Sequence, residues 1–222
     1  MSYFIKLFLV ALLVLSSSIQ ASHIVVSDSL PPEKDRHLIN DVAFTVSGNI
    51  LNAVVEIPAG TSEKWEVDKI SGKIEWEKRK GKYRVIDFLA YPGNYGFIPQ
   101  TYQSVAMGGD GDPLDVLILG ESLPRGMIVE VKIIGSLKLL DGGEIDDKYI
   151  AIPSNSTLFK KVKDLNDTFI KYPGSIEIIR TWFEGYKQPG KIQFMGYSSR
   201  QKAMKNINLS HNEWLKACET CS

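Results

Sequence analysis

The chain is predicted to be a mainly β domain with flanking helices, its strands closing or nearly closing into a barrel. Two observations carry this reading. By residue 153 there are six or seven strand-like segments, separated by turn signals at short spacing, which is the pattern of a barrel. Beyond residue 153 the rest reads as helical. Between residues 175 and 187, Ile176, Ile179, Phe183 and Tyr186 share one stripe at helical period. No internal repeat, low-complexity tract or internal linker interrupts the chain.

Taken in order, residues 22–41 are polar, carry Pro31-Pro32, and read as an extended arm. Residues 50–57 form the first clear strand, with Val54 and Glu56 on one face and Val55 and Ile57 on the other. Glu56 is thus a carboxylate on an otherwise apolar strand, either an edge-strand charge or a site residue. Residues 64–68 alternate as a second strand, with Lys64 and Glu66 on one face and Trp65 and Val67 on the other. Lys73, Lys78, Arg79, Lys80 and Lys82 follow, and Gly81 marks a hairpin turn. Arg84 lies in the strand-like run 83–86, where a guanidinium can grip a phosphate through two bonds.

Residues 91–99 are aromatic and turn-rich, with Gly93 and Gly96 expected to permit unusual backbone angles. Tyr91 and Tyr95 are either core aromatics or hydroxyls offered to a ligand. Residues 127–131 and 132–140 read as further strands around Gly135, and 149–153 closes the β region. Near the end, Ser210 and Glu213 have capping-box spacing and are expected to open a short helix containing Trp214, Leu215 and Cys218.

The chemistry concentrates in Asp110-Gly111-Asp112-Pro113-Leu114-Asp115, followed directly by the apolar run 116–119. This is a tight acidic turn feeding a buried strand. Carboxylates gathered at one point repel unless a cation neutralises them, and hard oxygen donors suit Mg2+, Mn2+ or Ca2+. A second acidic cluster comprises Asp141, Glu144, Asp146 and Asp147, with Lys148 beside it. The plainer reading is a solvated turn. An EF-hand fits poorly, because Asp115 falls where that loop needs glycine, and Pro113 stiffens its middle.

The chain has 222 residues with 26 acids and 26 bases, so no basic face implies nucleic acid as a partner. Lys6, the apolar run 7–15 and the small residues before Ala21 read as a signal peptide over residues 1–21. One domain then spans 22–222. The expected location is exported, in a periplasm or secretory compartment, with an uncleaved anchor as the alternative and no stable membrane association after cleavage. Cys218 and Cys221 read as a terminal staple or as idle thiols.

Together these residues resemble the family I soluble inorganic pyrophosphatases. The resemblance runs from about Val54 to the C-terminal helix. It rests on the acidic turn, Val55-Glu56-Ile57-Pro58, Lys64-Trp65-Glu66, Tyr91-Pro92-Gly93-Asn94-Tyr95-Gly96, the segment 139–152 and Glu184-Gly185-Tyr186-Lys187, all in the same order. It implies a closed five-stranded OB-like barrel with outer helices, and hydrolysis of inorganic diphosphate to two orthophosphates. It also implies three to four Mg2+ per active site, with Mn2+ or Zn2+ as substitutes, and a homo-oligomer, either hexamer or dimer.

Carried over residue by residue, Asp110, Asp115, Asp141 and Asp146 would be metal ligands and Asp112 the general base. Lys64, Arg84, Tyr95, Lys148, Tyr186 and Lys187 would bind substrate, with Lys64, Arg84 and Tyr95 also counted in the catalytic set. Glu56, Glu66 and Tyr91 would act in the outer sphere. Two features depart from the family pattern. Gly142 stands where many members carry a glutamate, which predicts weaker binding of an activating metal, and Asp147 is an extra acid without an assigned role. The rival readings are a cation- or polyanion-binding barrel without catalysis and, more weakly, an OB-type nucleic-acid binder.

Overall fold

The structure, a computed structural model, describes residues 36–105 and 108–219. The predicted signal peptide, most of the predicted arm and Cys221 lie outside the described residues. The strands are β1 (Thr45–Ser47), β2 (Ile50–Ile57), β3 (Trp65–Val67), β4 (Ile74–Trp76), β5 (Lys78–Arg79), β6 (Lys82–Tyr83), β7 (Asn94–Phe97), β8 (Asp115–Ile118), β9 (Ile128–Asp141), β10 (Glu144–Ile145), β11 (Lys148–Pro153) and β12 (Ile192–Ser199). The helices are α1 (Leu165–Lys171), α2 (Ser175–Gly185) and α3 (Arg200–Glu219). Among the described residues the fold is therefore mostly β sheet with three helices.

β2 is buried from Leu51 to Ile57 because both its edges are paired. β9 runs along residues 50–54 and β7 along residues 54–57. A strand enclosed in this way reads as a nearly continuous apolar run, and each of its two polar residues makes a hydrogen bond, although the buried Asn52 Oδ1 has no partner among the described residues. The Asn52 amide donates to the Ala43 carbonyl at 2.8 Å, and Glu56 accepts from the Val67 N–H at 2.7 Å. From β7 the pairing passes to β8, from β8 to β11 and from β11 to β9. Of these pairings only β8–β11 is parallel. β12 joins β9, and β3–β4 and β5–β6 form two small hairpin sheets.

Ile57, Leu117, Ile134 and Ile150 pack against Ile176, Ile179, Trp182 and Phe183 of α2. On the other side, Leu51, Val55, Val116 and Ile133 pack with Ala203 and Ile207 of α3. Burying an aliphatic or aromatic side chain completely contributes about 1.5–3 kcal/mol, so these two layers fix the sheet on which the site is carried.

Several expectations need correction. The chain after Pro153 is not all helical: residues 192–199 form β12, an edge strand whose outward residues include apolar Met195 and Tyr197. The two strands predicted around Gly135 are one 14-residue strand. It runs through Gly135 because β11 and β12 both pair with it there, and the missing side chain leaves room for Leu165 of α1. Among the described residues, eleven strands, several of them two or three residues long, precede residue 154. The run 83–86 breaks after Tyr83, and Val85 makes only an isolated bridge to Glu63.

Residues 36–41 do not extend either. They turn, with the Asp41 N–H bonded to the His37 carbonyl, and Ile39 is buried. Ser210 does not cap a helix. It lies inside α3, and its hydroxyl both accepts from the Tyr102 N–H (2.9 Å) and donates to the Tyr102 carbonyl (3.0 Å). Glu213 pairs instead with Lys216 at 2.7 Å.

Candidate active site

The parallel pairing of β8 with β11 sets Tyr149 opposite Val116, so the preceding residues, Lys148 and Asp115, lie side by side. They open into a cleft of about 710 Å³. Every residue predicted for the site lines this cleft except Tyr91. β2 brings Glu56, the segment entering and forming β3 brings Lys64 and Glu66, and the chain after β6 brings Arg84. Tyr95 comes from β7, Asp110 and Asp112 from the acidic turn, and Asp115 from the start of β8. Asp141 ends β9, Asp146 and Lys148 flank the start of β11, and Tyr186 and Lys187 follow α2.

The acidic turn is held from several sides. Gly111 sits at φ +80°, a left-handed conformation that glycine adopts freely. The Asp112 N–H donates to the Asp110 carboxylate at 2.9 Å, an Asx-type turn. Buried Thr101 ties the two ends of the loop: its hydroxyl donates to the Ile98 carbonyl (2.6 Å) and accepts from the Leu114 N–H (2.9 Å). Across the cleft, β7 approaches β2 closely. A Cβ on Gly96 would stand 1.8 Å from the Val54 carbonyl oxygen. Gly96 is therefore needed for space; neither it nor Gly93 has a positive φ.

Among the described residues the lining carries ten acids against six cations, a surplus of negative charge before any ligand arrives even with Glu56 protonated. The cations are mostly paired with the acids. Buried Lys148 donates to Asp115 and, at 2.5 Å, to Asp146. Lys187 donates to Asp141, Lys69 pairs with Asp112, Lys64 lies 3.3 Å from Glu66, and Arg84 holds Glu77 at 2.6 Å. Lys64 and Lys148 also stand 5.7 Å from the centre of the Tyr95 ring.

Burial and partners shift the protonation of these groups. Burial pulls the Lys148 ammonium down, but Asp115 and Asp146 outweigh it and hold the group above the usual lysine range. Burial raises Asp146, partly offset by Lys148, and also raises Asp110. Glu56 is only 4% exposed, and burial lifts it to about 8 against the pull of Lys64. Asp141 moves the other way: burial would raise it, but the Lys187 bond prevails and lowers it. Burial pushes the Tyr95 hydroxyl well above its ordinary range.

Among the described residues, no group of three or more Asp, Glu, His or Cys side chains is gathered tightly enough to hold a metal ion as it stands. The donor chemistry nevertheless fits a hard cation. The lining has neither His nor Cys, and its acids exceed its bases, the oxygen-only set that suits Mg2+ or Mn2+.

Tyr91 is buried behind the cleft, with its ring centre 5.3 Å from that of Tyr95 and 4.5 Å from that of Trp182. Asp147 is not a lining residue; its carboxylate accepts from the Leu139 N–H at 3.3 Å and so braces the β9–β10 turn. Several lining residues escaped the sequence reading, among them Glu77 on Arg84 and Lys69 on Asp112. Glu77 had a signal. The register Arg79↔Lys82 and Lys78↔Tyr83, continued by one step, sets Glu77 opposite Arg84. Lys69 had none, because its partner comes from a distant loop.

The family model described as inorganic pyrophosphatase matches residues 53–215, a span that contains every predicted site residue. The chain belongs to the inorganic pyrophosphatase family. It is 34% identical over 180 residues to the inorganic pyrophosphatase of Neisseria meningitidis serogroup B, covering 77% of this chain and 92% of that protein. It is 34% identical over 188 residues to the mitochondrial inorganic pyrophosphatase of Saccharomyces cerevisiae, covering 74% of this chain. The match spans only 61% of that yeast protein's length. Among solved structures, the N-terminally truncated vacuolar soluble pyrophosphatase of Trypanosoma cruzi in complex with PPi superposes with a TM-score of 0.75 at 28% identity, covering 83% of this chain and 76% of that one.

Proposed function

We propose that this member of the family hydrolyses inorganic diphosphate to two orthophosphates in a reaction that depends on Mg2+. The observation that carries the reading is the cleft itself, where surplus carboxylates and a ring of cations face one space. The PPi complex of the Trypanosoma cruzi relative supports the choice of substrate. A highly charged anion is repelled by that lining until divalent cations offset the surplus. Asp110, Asp115, Asp141 and Asp146 would hold Mg2+, which supplies charge neutralisation and a lowered pKa for the attacking water.

The chain's own groups have distinct tasks. Asp112 takes the proton of the water as its oxygen bonds to one phosphorus. The bridging P–O bond then breaks, and the second phosphate leaves with the electron pair. Lys64, Arg84, Lys148, Tyr186 and Lys187 bind the phosphates and stabilise charge on the leaving group. Tyr95, its hydroxyl kept protonated by burial, donates a hydrogen bond near the attacked phosphate. Glu56 and Glu66 act through water, and Tyr91 fixes the Tyr95 ring. The Lys69–Asp112 pair is half exposed on both sides, and such pairs contribute about 0–1 kcal/mol, so it yields readily to substrate.

The pairings β2–β7, β7–β8, β8–β11, β11–β9 and β9–β2 support assigning these five strands to a closed OB-like barrel. We further assign residues 1–21 to a signal peptide, residues 22–222 to one exported domain, and the active form to a homo-oligomer. Intact mass of the exported protein and light scattering test these assignments. The deciding experiment is phosphate release from diphosphate with Mg2+ and with chelator. Release only with Mg2+ is the expected result, and no release under either condition overturns the reading.

A further inference from the structure

β9 ends at Asp141 and turns through Gly142 and Gly143 into β10. The residue before β12 is fastened to that turn by its backbone. The Gly142 N–H donates to the Lys191 carbonyl at 3.0 Å, and Ile192 pairs with Asp141. Lys191 thus stays beside Asp141 for as long as β12 stays on β9. Its ammonium stands 3.7 Å from Asp141 Oδ1. The other carboxylate oxygen, Oδ2, is taken by Lys187. Oδ1 is buried and accepts no hydrogen bond, so it is the open acceptor of this carboxylate, and the Lys191 charge faces it. Gly142 makes the approach possible: a Cβ at that position would lie 2.4 Å from Lys191 Nζ. Any side chain there would press the ammonium away.

We propose that Lys191, admitted by Gly142, is a resident competitor for the divalent cation at Asp141, and that it sets how much divalent cation the site requires. This rests on the reading of Asp141 as a cation ligand. The strand pairing anchors the Lys191 backbone beside Asp141, so a cation approaching Oδ1 meets a like charge tethered to that turn. Lys191 is a positioning residue in this account, since its contact is with Asp141.

The test is a Mn2+ titration of the full chain without diphosphate, read by the loss of the free-ion paramagnetic resonance signal. Lys191→Gln keeps most of the stem and removes the charge. The Lys191 side chain is half exposed, so water screens its charge, and removing it at about 6–8 Å from a divalent ion tightens the weakest Mn2+ site by about fivefold to tenfold. Lys191→Arg retains the charge and should titrate like the unsubstituted chain. In an Asp141→Asn background, Lys191→Gln should bring no gain. Unchanged or weaker binding in Lys191→Gln overturns the proposal, as does a gain that persists in Asp141→Asn. If the unsubstituted chain releases phosphate from diphosphate while Lys191→Gln leaves the titration unmoved, this inference alone fails. If the unsubstituted chain neither binds Mn2+ nor releases phosphate, the inference fails together with the reading it rests on.

Discussion

Replacing Glu56 with glutamine should flatten the pH dependence of stability near neutrality. The ordinary carboxyl value is 4.5 and the folded value is about 8, raised by burial. Below pH 4.5 both folded and unfolded chains hold the proton, so the stability associated with this group is fully present. Between pH 4.5 and 8 the unfolded chain ionises while the folded chain does not, and stability falls by about 1.4 kcal/mol per pH unit. The loss is under about 1 kcal/mol at pH 5 and on the order of 3 kcal/mol at pH 7. Glutamine cannot ionise, yet its amide oxygen can still accept the Val67 N–H. The absolute stability of the variant includes the unpaired donors of its amide, but its slope does not. Urea unfolding with chelator present, at pH 5, 6 and 7, reads that slope. The difference between the two proteins should widen by about 2–3 kcal/mol over this range. Parallel profiles would refute the argument, because they would mean that Glu56 titrates alike in both states.

Asp112→Asn should cost at least about a hundredfold in phosphate release, the low end of what a positioned proton acceptor supplies, while Mn2+ titration stays close to that of the unsubstituted chain. Activity that survived this change would remove Asp112 as the base. Lys148→Met leaves Asp115 and Asp146 facing each other without their ammonium. Breaking such a buried pair costs on the order of 3 kcal/mol, read by urea unfolding in chelator, and added Mg2+ should recover part of the loss. Ser210→Ala strips the Tyr102 backbone of its side-chain partner and should cost about 1–2 kcal/mol, with a higher KM as the acidic turn loosens. Gly96→Ala forces β7 off β2 and should lower the unfolding midpoint sharply, because the carbonyl it meets belongs to the backbone and cannot rotate aside.

The parts of the fold that could be read from sequence were those in which local pattern and tertiary surroundings agree. Residues 50–57 are apolar enough to demand a buried strand, and they form one. The stripe at Ile176, Ile179 and Phe183 forms the buried face of α2. The acidic turn was legible because three carboxylates crowd around a glycine and a proline directly before an apolar run, in company with the other motifs of the family. Where pattern and surroundings conflict, the sequence misled. β12 lies on an edge, interrupted by Gly196 and with apolar residues facing outward, so it lacks the alternation that marks a half-buried strand. Ser210 and Glu213 have the spacing of a cap, but a Ser-x-x-Glu spacing also occurs inside helices, and nothing local reveals that Tyr102 occupies the hydroxyl. Glu56 was ambiguous because the residues that bury it lie on strands far away in sequence. The residues of the cleft could be named from motifs, whereas the pairs among them, such as Lys69 with Asp112, depend on where two loops meet.

The same-direction run of β8 and β11 has a consequence for how the protein is made. Asp115 leaves the ribosome 33 residues ahead of Lys148, and the intervening chain must travel out and back before the two can meet. During that interval Asp115 lacks the ammonium of Lys148 that pairs with it in the folded protein. A chain terminated before Lys148 would lack both the strand that seats beside β8 and the charge that lets the acids sit together. Assembly of the cleft is in this sense a late reward for completing the crossover from β8 to β11, and intermediates that stop short of it hold the pieces of a cation site without the place to put them.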